Sequence, residues 1–250
     1  MCKNRIHCFL IVCIFIYSPS LLAHKLKFVA ESLPPFHYLD ENQKPAGVLV
    51  EVIKALLDEA NLKADIELLP FARAYDLSTK KSDVFMFSLL KTPNRAEKFK
   101  WVGKIYTNKA YLVGLKTRDD IKLQALNDAK KYTVGTIRGY YSETFLRQAG
   151  FIKKKQLYLT VNYTQLWGML FKDRIDLLLT NTIALETELS SLGINSDNVN
   201  FFLEVKDFPS ELYIASSLHT SNETIVKLSK ALETIKKNKV YDKILKEWSM

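Results

Sequence analysis

A chain of 250 residues that is 48% hydrophobic has room for one large domain or two ordinary ones, and it is too apolar for a disordered polymer. Its formal charge of +9 would suit nucleic acid, but the lysines are scattered and the aromatics sit inside apolar runs, so no basic stripe with interleaved rings forms. All three cysteines, Cys2, Cys8 and Cys13, stand close to the amino terminus, which leaves the rest without thiol or disulfide and dependent on its core.

The amino terminus reads as a secretory leader over residues 1–23. Lys3 and Arg5 carry positive charge, Cys8 to Tyr17 form a short apolar core, and residues 18–23 break the helix and offer Ala23 for cleavage. The apolar run falls short of the roughly 18 residues that a membrane span needs. Neither Cys8 nor Cys13 follows the small residue of a lipoprotein signal, so a soluble product starting at His24 is expected. Losing Lys3 and Arg5 takes the charge from +9 to +7, since residues 1–23 hold no Asp or Glu. Such a balance suits anionic envelope components or acidic solutes, and an exported protein rarely meets nucleic acid.

Residues 26–30 form a β-rich run that leads into Leu33-Pro34-Pro35-Phe36-His37-Tyr38, where paired prolines prohibit helix and hold the aromatics on a rigid loop. After a polar turn over 40–47, Val48, Val52, Ala55, Leu56 and Ala60 recur at helical spacing, with Glu51 as a carboxylate favoured near the helix start. A strand is predicted over 66–69 and a helix from Phe71 to about Lys80. The apolar run 84–87 suits a strand buried on both faces and ending at Ser88. Lys91-Thr92-Pro93-Asn94 then turns the chain, and Pro93 starts a helix that holds Arg95. A hydroxyl at a strand's carboxyl end, free amides and a guanidinium fork form a good receptor for a carboxylate. Residues 106–115 read as a strand leaving this first unit. In the second unit strands are predicted over 132–137 and 157–161, and helices over 164–172 and from 182. Ser142 is the expected N-cap of the helix after the 132–137 strand. A strand over 199–205, a return crossing at 212–216 and helices over 222–237 and 240–248 complete the chain.

Asp83, four mostly apolar residues and Ser88, with Thr92 three residues before Arg95 and then Phe99-Lys100-Trp101, resemble the first-lobe ligand strand of the family 3 bacterial extracellular solute-binding proteins. Those proteins carry amino acids and similar small polar solutes to membrane importers. The turn Val134-Gly135-Thr136-Ile137-Arg138-Gly139 is similar to the family's second-lobe Val-Gly-x-x-x-Gly turn. Arg174-Ile175-Asp176 mirrors its Gly-Arg-Val-Asp strand, and Tyr241 to Trp248 resembles its closing helix. The resemblance implies an α/β, two-lobed periplasmic-binding-protein-like fold of type II, each lobe a mostly parallel sheet flanked by helices, joined by two hinge crossings. Lobe 1 would comprise residues 24–113 and 207–250, and lobe 2 residues 114–206. It further implies a periplasmic monomer that needs neither cofactor nor metal, is not an enzyme, and hands a small solute to the permease of an ABC-type importer. Arg95 and Ser88 would grip the solute's anion, Phe36 and Phe71 would flank it, and Arg73 would look into the cleft. Tyr140, Tyr141 and Asn181 would complete the second side.

The sequence departs from that family where a second-lobe Asp usually meets the solute's ammonium group, because Asn181 stands there. The exchange of a charged for a neutral hydrogen bond forfeits about 1 to 2 kcal/mol. Leu33 and Leu90 replace an aromatic cover and a hydroxyl, and two tyrosines fill a turn where small residues are usual. A solute held through its carboxylate without the usual ammonium contact is therefore expected. The four histidines have no metal-ligand spacing, and neither a nucleophile elbow nor a phosphate loop occurs. Nothing in the spacing of Glu31, His37 and Glu51 requires an acid and base pair, so solvated or structural roles are expected for them. Two other functions suit the same scaffold: a sensory binding protein and an enzyme of the cyclohexadienyl-dehydratase type. Since the last predicted helix runs almost to Met250, no attached output domain is expected.

Overall fold

Strand β1 (Leu26–Ala30) buries every side chain except Lys27, because neighbours flank it in a sheet covered on both faces. The structure, a computed structural model, describes residues 25–250 apart from the side chains of residues 182–184; the expected leader and new amino terminus lie outside the described residues. A short hairpin, β2 (Tyr38–Leu39) and β3 (Pro45–Ala46), leads into α1 (Val48–Glu59), whose apolar stripe fills the core. Then come β4 (Ala64–Leu68), α2 (Phe71–Lys80), β5 (Val84–Leu90), the single turn α3 (Pro93–Ala96) and β6 (Lys100–Thr107). The chain passes to a second sheet through β7 (Ala110–Leu115), β8 (Val134–Ile137), α4 (Tyr141–Gln148) and β9 (Leu157–Thr160). That lobe ends with α5 (Tyr163–Leu170), β10 (Leu177–Asn181), α6 (Thr182–Ser191) and β11 (Val199–Glu204). β12 (Glu211–Ser216) returns to the first sheet, and α7 (Asn222–Lys237) and α8 (Val240–Glu247) follow.

The first sheet has the order β4-β1-β5-β12-β6 and the second β11-β7-β10-β8-β9. In each, two pairings are parallel and two antiparallel, so the sheets are mixed and not mostly parallel. The strands responsible are β7 and β12. Each enters its sheet from the other lobe and therefore runs against its neighbours. β7 pairs along its whole length with β10 and β11, which moves the first crossing to Asn108 and Lys109. A lobe boundary after residue 113 would cut that strand in two. The second crossing joins β11 to β12 over residues 205–210, and the expected return crossing at 212–216 is instead part of β12, paired with β5 and β6.

Each sheet is covered on both faces. In lobe 1, α1, α7 and α8 enclose one apolar cluster with Phe28, Phe85 and Ile214, while α2 covers Val29, Met86 and Leu89 on the other face. In lobe 2, Leu112 and Leu146 lie in one cluster and the fully buried Trp167 in the other. A buried Leu truncated to Ala in such clusters costs about 2 to 5 kcal/mol. The loop before α1 also has a structural task. The amides of Val48 and Leu49 donate to the carbonyls of Pro35 and Phe36 at 3.2 and 2.9 Å, which satisfies two of the helix's unpaired donors. This close approach requires Gly47 at φ 114°, where an added Cβ would lie 2.6 Å from the Phe36 carbonyl oxygen.

Candidate functional site

The carboxyl ends of β1, β5, β8 and β10 carry the residues that line one cavity, together with the two crossings and the amino-terminal residues of α2 and α5. Its volume is about 130 Å³. Ser88 reaches it because β5 does not end there, as its apolar run predicts, but bulges. Between the pairs Leu89 with Tyr213 and Met86 with Ala215, β5 has two residues where β12 has one, and Ser88 adopts φ 62°. The bulge turns Ser88 toward the cavity while Phe87 and Leu89 stay buried.

Arg95 stands on the single turn α3, half-buried, and donates from Nη1 to the Leu90 carbonyl at 3.2 Å. Phe71 and Tyr75, one turn apart on α2, stack at 5.9 Å. The guanidinium lies 5.4 and 5.3 Å from their ring centroids, a cation–π arrangement that fixes its direction. Burial lowers the Arg95 pKa, opposed by the Tyr75 hydroxyl and the Glu31 carboxylate, and the group remains a cation.

From the second lobe, Gly139 at φ 81° turns the chain after β8, and Glu143 accepts from the Gly139 amide at 2.8 Å. This turn projects Tyr140 across to lobe 1. Its hydroxyl donates to Glu31 Oε2 at 2.6 Å, and its ring lies 6.0 Å from that of Phe71 and 6.1 Å from that of Tyr163. Tyr141 packs its ring against Phe208 on the second crossing at 5.7 Å. Ser142 does not act as the N-cap: Tyr140 holds that position, and the Ser142 hydroxyl shares a 2.5 Å hydrogen bond with Thr136. Asn181 lines the cavity at the end of β10, in register with Ala110.

Burial dominates the electrostatics. It raises the Glu31 carboxyl above its ordinary range, while the Tyr140 hydrogen bond and the charge of Arg95 pull the other way. The Tyr140 phenol is raised by burial and by the neighbouring carboxylate. Behind the cavity, Trp167 Nε1 donates to Glu188 Oε2 at 2.7 Å, and burial pushes that carboxyl up to about 8. His37, 1% exposed, shares a 2.5 Å hydrogen bond with the Glu31 carbonyl through Nδ1, and burial pushes its pKa down to about 4.

Of the residues expected from sequence, Phe71, Ser88, Arg95, Tyr140, Tyr141 and Asn181 line the cavity, but Phe36 and Arg73 do not. Phe36 is 0% exposed and fills the lobe 1 core beneath α1, its ring edge-on to Tyr106 at 5.1 Å. Arg73 is exposed on the solvent side of α2. The sequence reading missed Tyr163, Phe208 and the crossing residues Asn108 and Lys109, and it gave Glu31 no place in the site. Glu31 carries a usable signal, since it directly follows a predicted strand. Phe208 lies in a crossing without periodicity and carries none. Among the described residues no group of three His, Cys, Asp or Glu is placed to hold a metal ion, and no helix is long and apolar enough to cross a membrane.

Residues 27–250 match the model of the bacterial extracellular solute-binding proteins, family 3. The chain is 26% identical to the L-cystine-binding protein TcyA of Bacillus subtilis (strain 168) over 217 residues, 86% of this chain and 76% of that one. It is similar to the solved structure of an ancestral arginine-binding protein bound to arginine, with a TM-score of 0.74, 23% identity and coverage of 90% of this chain and 97% of that chain. A histidine kinase sensor domain with similarity to periplasmic binding proteins matches with a TM-score of 0.78 and 16% identity, over 90% of this chain and 96% of that chain. These likenesses carry the fold, two α/β lobes of the type II periplasmic-binding-protein kind.

Proposed function

Because the chain belongs to the bacterial extracellular solute-binding proteins of family 3, which bind rather than transform their solutes, we propose that it captures an amino-acid-like solute by its carboxylate between the two lobes and presents the closed form to an ABC-type importer. The observation that carries this reading is the Arg95 guanidinium, oriented by Phe71, Tyr75 and the Leu90 carbonyl on the wall that also holds Ser88. A fork so placed suits a carboxylate, and each charge-assisted hydrogen bond is worth about 1.5 to 3 kcal/mol. The aromatic and aliphatic walls suit the body of the solute. A cavity of about 130 Å³ suits a small solute. With each lobe contributing part of the lining, a bound solute favours closure over the open form. The protein acts as a periplasmic monomer, exported by a leader cleaved near Ala23.

The relatives named for binding cystine and arginine put amino acids first in the search for the solute. Calorimetric titration of the exported protein with the proteinogenic amino acids and L-cystine should find at least one that binds at micromolar concentration or below. Arg95→Ala should weaken that binding by more than about 100-fold, on the order of 3 kcal/mol, with an unchanged circular dichroism spectrum. Affinity retained in that variant would remove Arg95 from the carboxylate's site.

A further inference from the structure

Once Arg95 is assigned to the solute's carboxylate, the cavity still holds a half-buried group of opposite sign. Glu31 is the one acidic side chain among the described residues that line it. It stands on lobe 1 at the carboxyl end of β1, and its carboxylate turns to the Tyr140 phenol of lobe 2 at 2.6 Å while Arg95 acts on it through space. Lys109, the other cation of the lining, has a partner of its own in Glu204 at 3.6 Å. The second lobe presents Asn181 at the end of β10, an amide without charge.

We propose that Glu31 receives the cationic group of the solute from lobe 1, with Tyr140 as the residue that positions it, so that the site takes compounds carrying both a carboxylate and an ammonium. This rests on the reading of the cavity as a solute site anchored by Arg95. The ammonium contact that Asn181 withholds on one side is then supplied from the other, and the bond between Glu31 and Tyr140 ties that contact to closure of the lobes. A carboxyl taken out of water gains more from an arriving ammonium than an exposed one, because its charge is poorly solvated beforehand.

Burial raises the pKa of Glu31, and a bound cation favours its ionised form. Affinity for an amino compound is therefore full above that pKa and is lost as the pH falls through it. The groups that act on this carboxyl are Arg95 of lobe 1 and Tyr140 and Tyr163 of lobe 2, while His37 bonds the Glu31 backbone carbonyl and Lys109 belongs to the same cavity lining. A Glu31→Gln variant separates its titration from theirs.

The test titrates the exported protein and its variants with each proteinogenic L-amino acid and L-cystine beside the same compound lacking its α-amino group. The wild type is expected to prefer the amino compound at least tenfold, and Glu31→Gln to bring that ratio toward one and to flatten its pH profile. Tyr140→Phe should move the profile of the wild type to higher pH, because it removes a bond that favours the ionised carboxylate; a purely structural loss would lower affinity without moving it. An unchanged preference in Glu31→Gln overturns the proposal, as does a wild type that binds both members of each pair equally, though in that case the Arg95 reading stands. If the wild type binds neither member of any pair, the Arg95 reading falls and this inference with it.

Discussion

Five positions show how far a single residue's place follows from its neighbours in the chain. Gly47 lies at φ 114° with two carbonyl oxygens where a Cβ would go, so Gly47→Ala should destabilise the protein by about 1 to 3 kcal/mol. Urea unfolding monitored by circular dichroism should show a lower midpoint with an unchanged slope, whereas a midpoint equal to that of the wild type would mean the loop yields easily. Arg95 was legible in the sequence as a lining residue because it follows a buried strand and its turn, whereas Ser88 lines the cavity through a bulge that the apolar run does not announce. Phe36 was not, since an aromatic beside paired prolines can face a cavity or a core, and here the α1 amides draw its loop onto the core side. Arg73 was misread for a reason the spacing contains. Residues two apart on a helix do not share a face, so once Phe71 looks toward the cavity, Arg73 must look away.

Elements are held in place by polar pins as well as by apolar burial. Asp176, just before β10, accepts from the Thr133 amide and hydroxyl at 2.8 and 2.6 Å and from Arg118 at 2.5 Å, which ties β10 to the entry of β8. Burial of this carboxyl opposes its charge, but the bonds from Thr133 and Arg118 outweigh it and hold its pKa below the ordinary range. A depressed carboxylate stabilises the fold above its unfolded pKa of about 3.9 and loses that contribution as the pH falls through the folded value. Asp176→Asn should therefore cost about 1 to 3 kcal/mol at neutral pH, with the gap to the wild type narrowing below about pH 4. Thermal unfolding of both proteins across that range checks the sign, and a gap independent of pH would assign the loss to geometry and not to charge. Helices α1, α2, α7 and α8 were readable almost to the residue because their apolar positions recur with the helical period. The segment 106–115 was less so: an apolar run does not reveal which sheet it joins, and two residues in its middle carry the chain from one sheet to the other.

At the scale of the whole molecule, the two lobes and their order were legible because the resemblance spans nearly all of the chain after residue 23. The sheet orders and antiparallel insertions were not, since strand partners are set by contacts far apart in sequence. A solute that binds only the folded, closed form adds stability by mass action, about 2.7 kcal/mol at a hundredfold excess over Kd. For a chain of this size each kcal/mol moves the melting temperature by about 2 to 4 °C. Melting curves with the solute found by titration should thus rise by roughly 5 to 10 °C, and Arg95→Ala should erase the rise; a rise that survives in the variant would place the solute elsewhere.

The position of β12 between β5 and β6 has a temporal consequence. As a nascent chain leaves the ribosome, β6 emerges long before the neighbour it hydrogen-bonds in the finished sheet, and α7 and α8, which cover that sheet, come later still. Lobe 1 therefore stays unfinished through nearly all of synthesis, however early its first strands appear. Under the proposed export as an extended polymer, this delay would keep the first half pliable until the far side is reached.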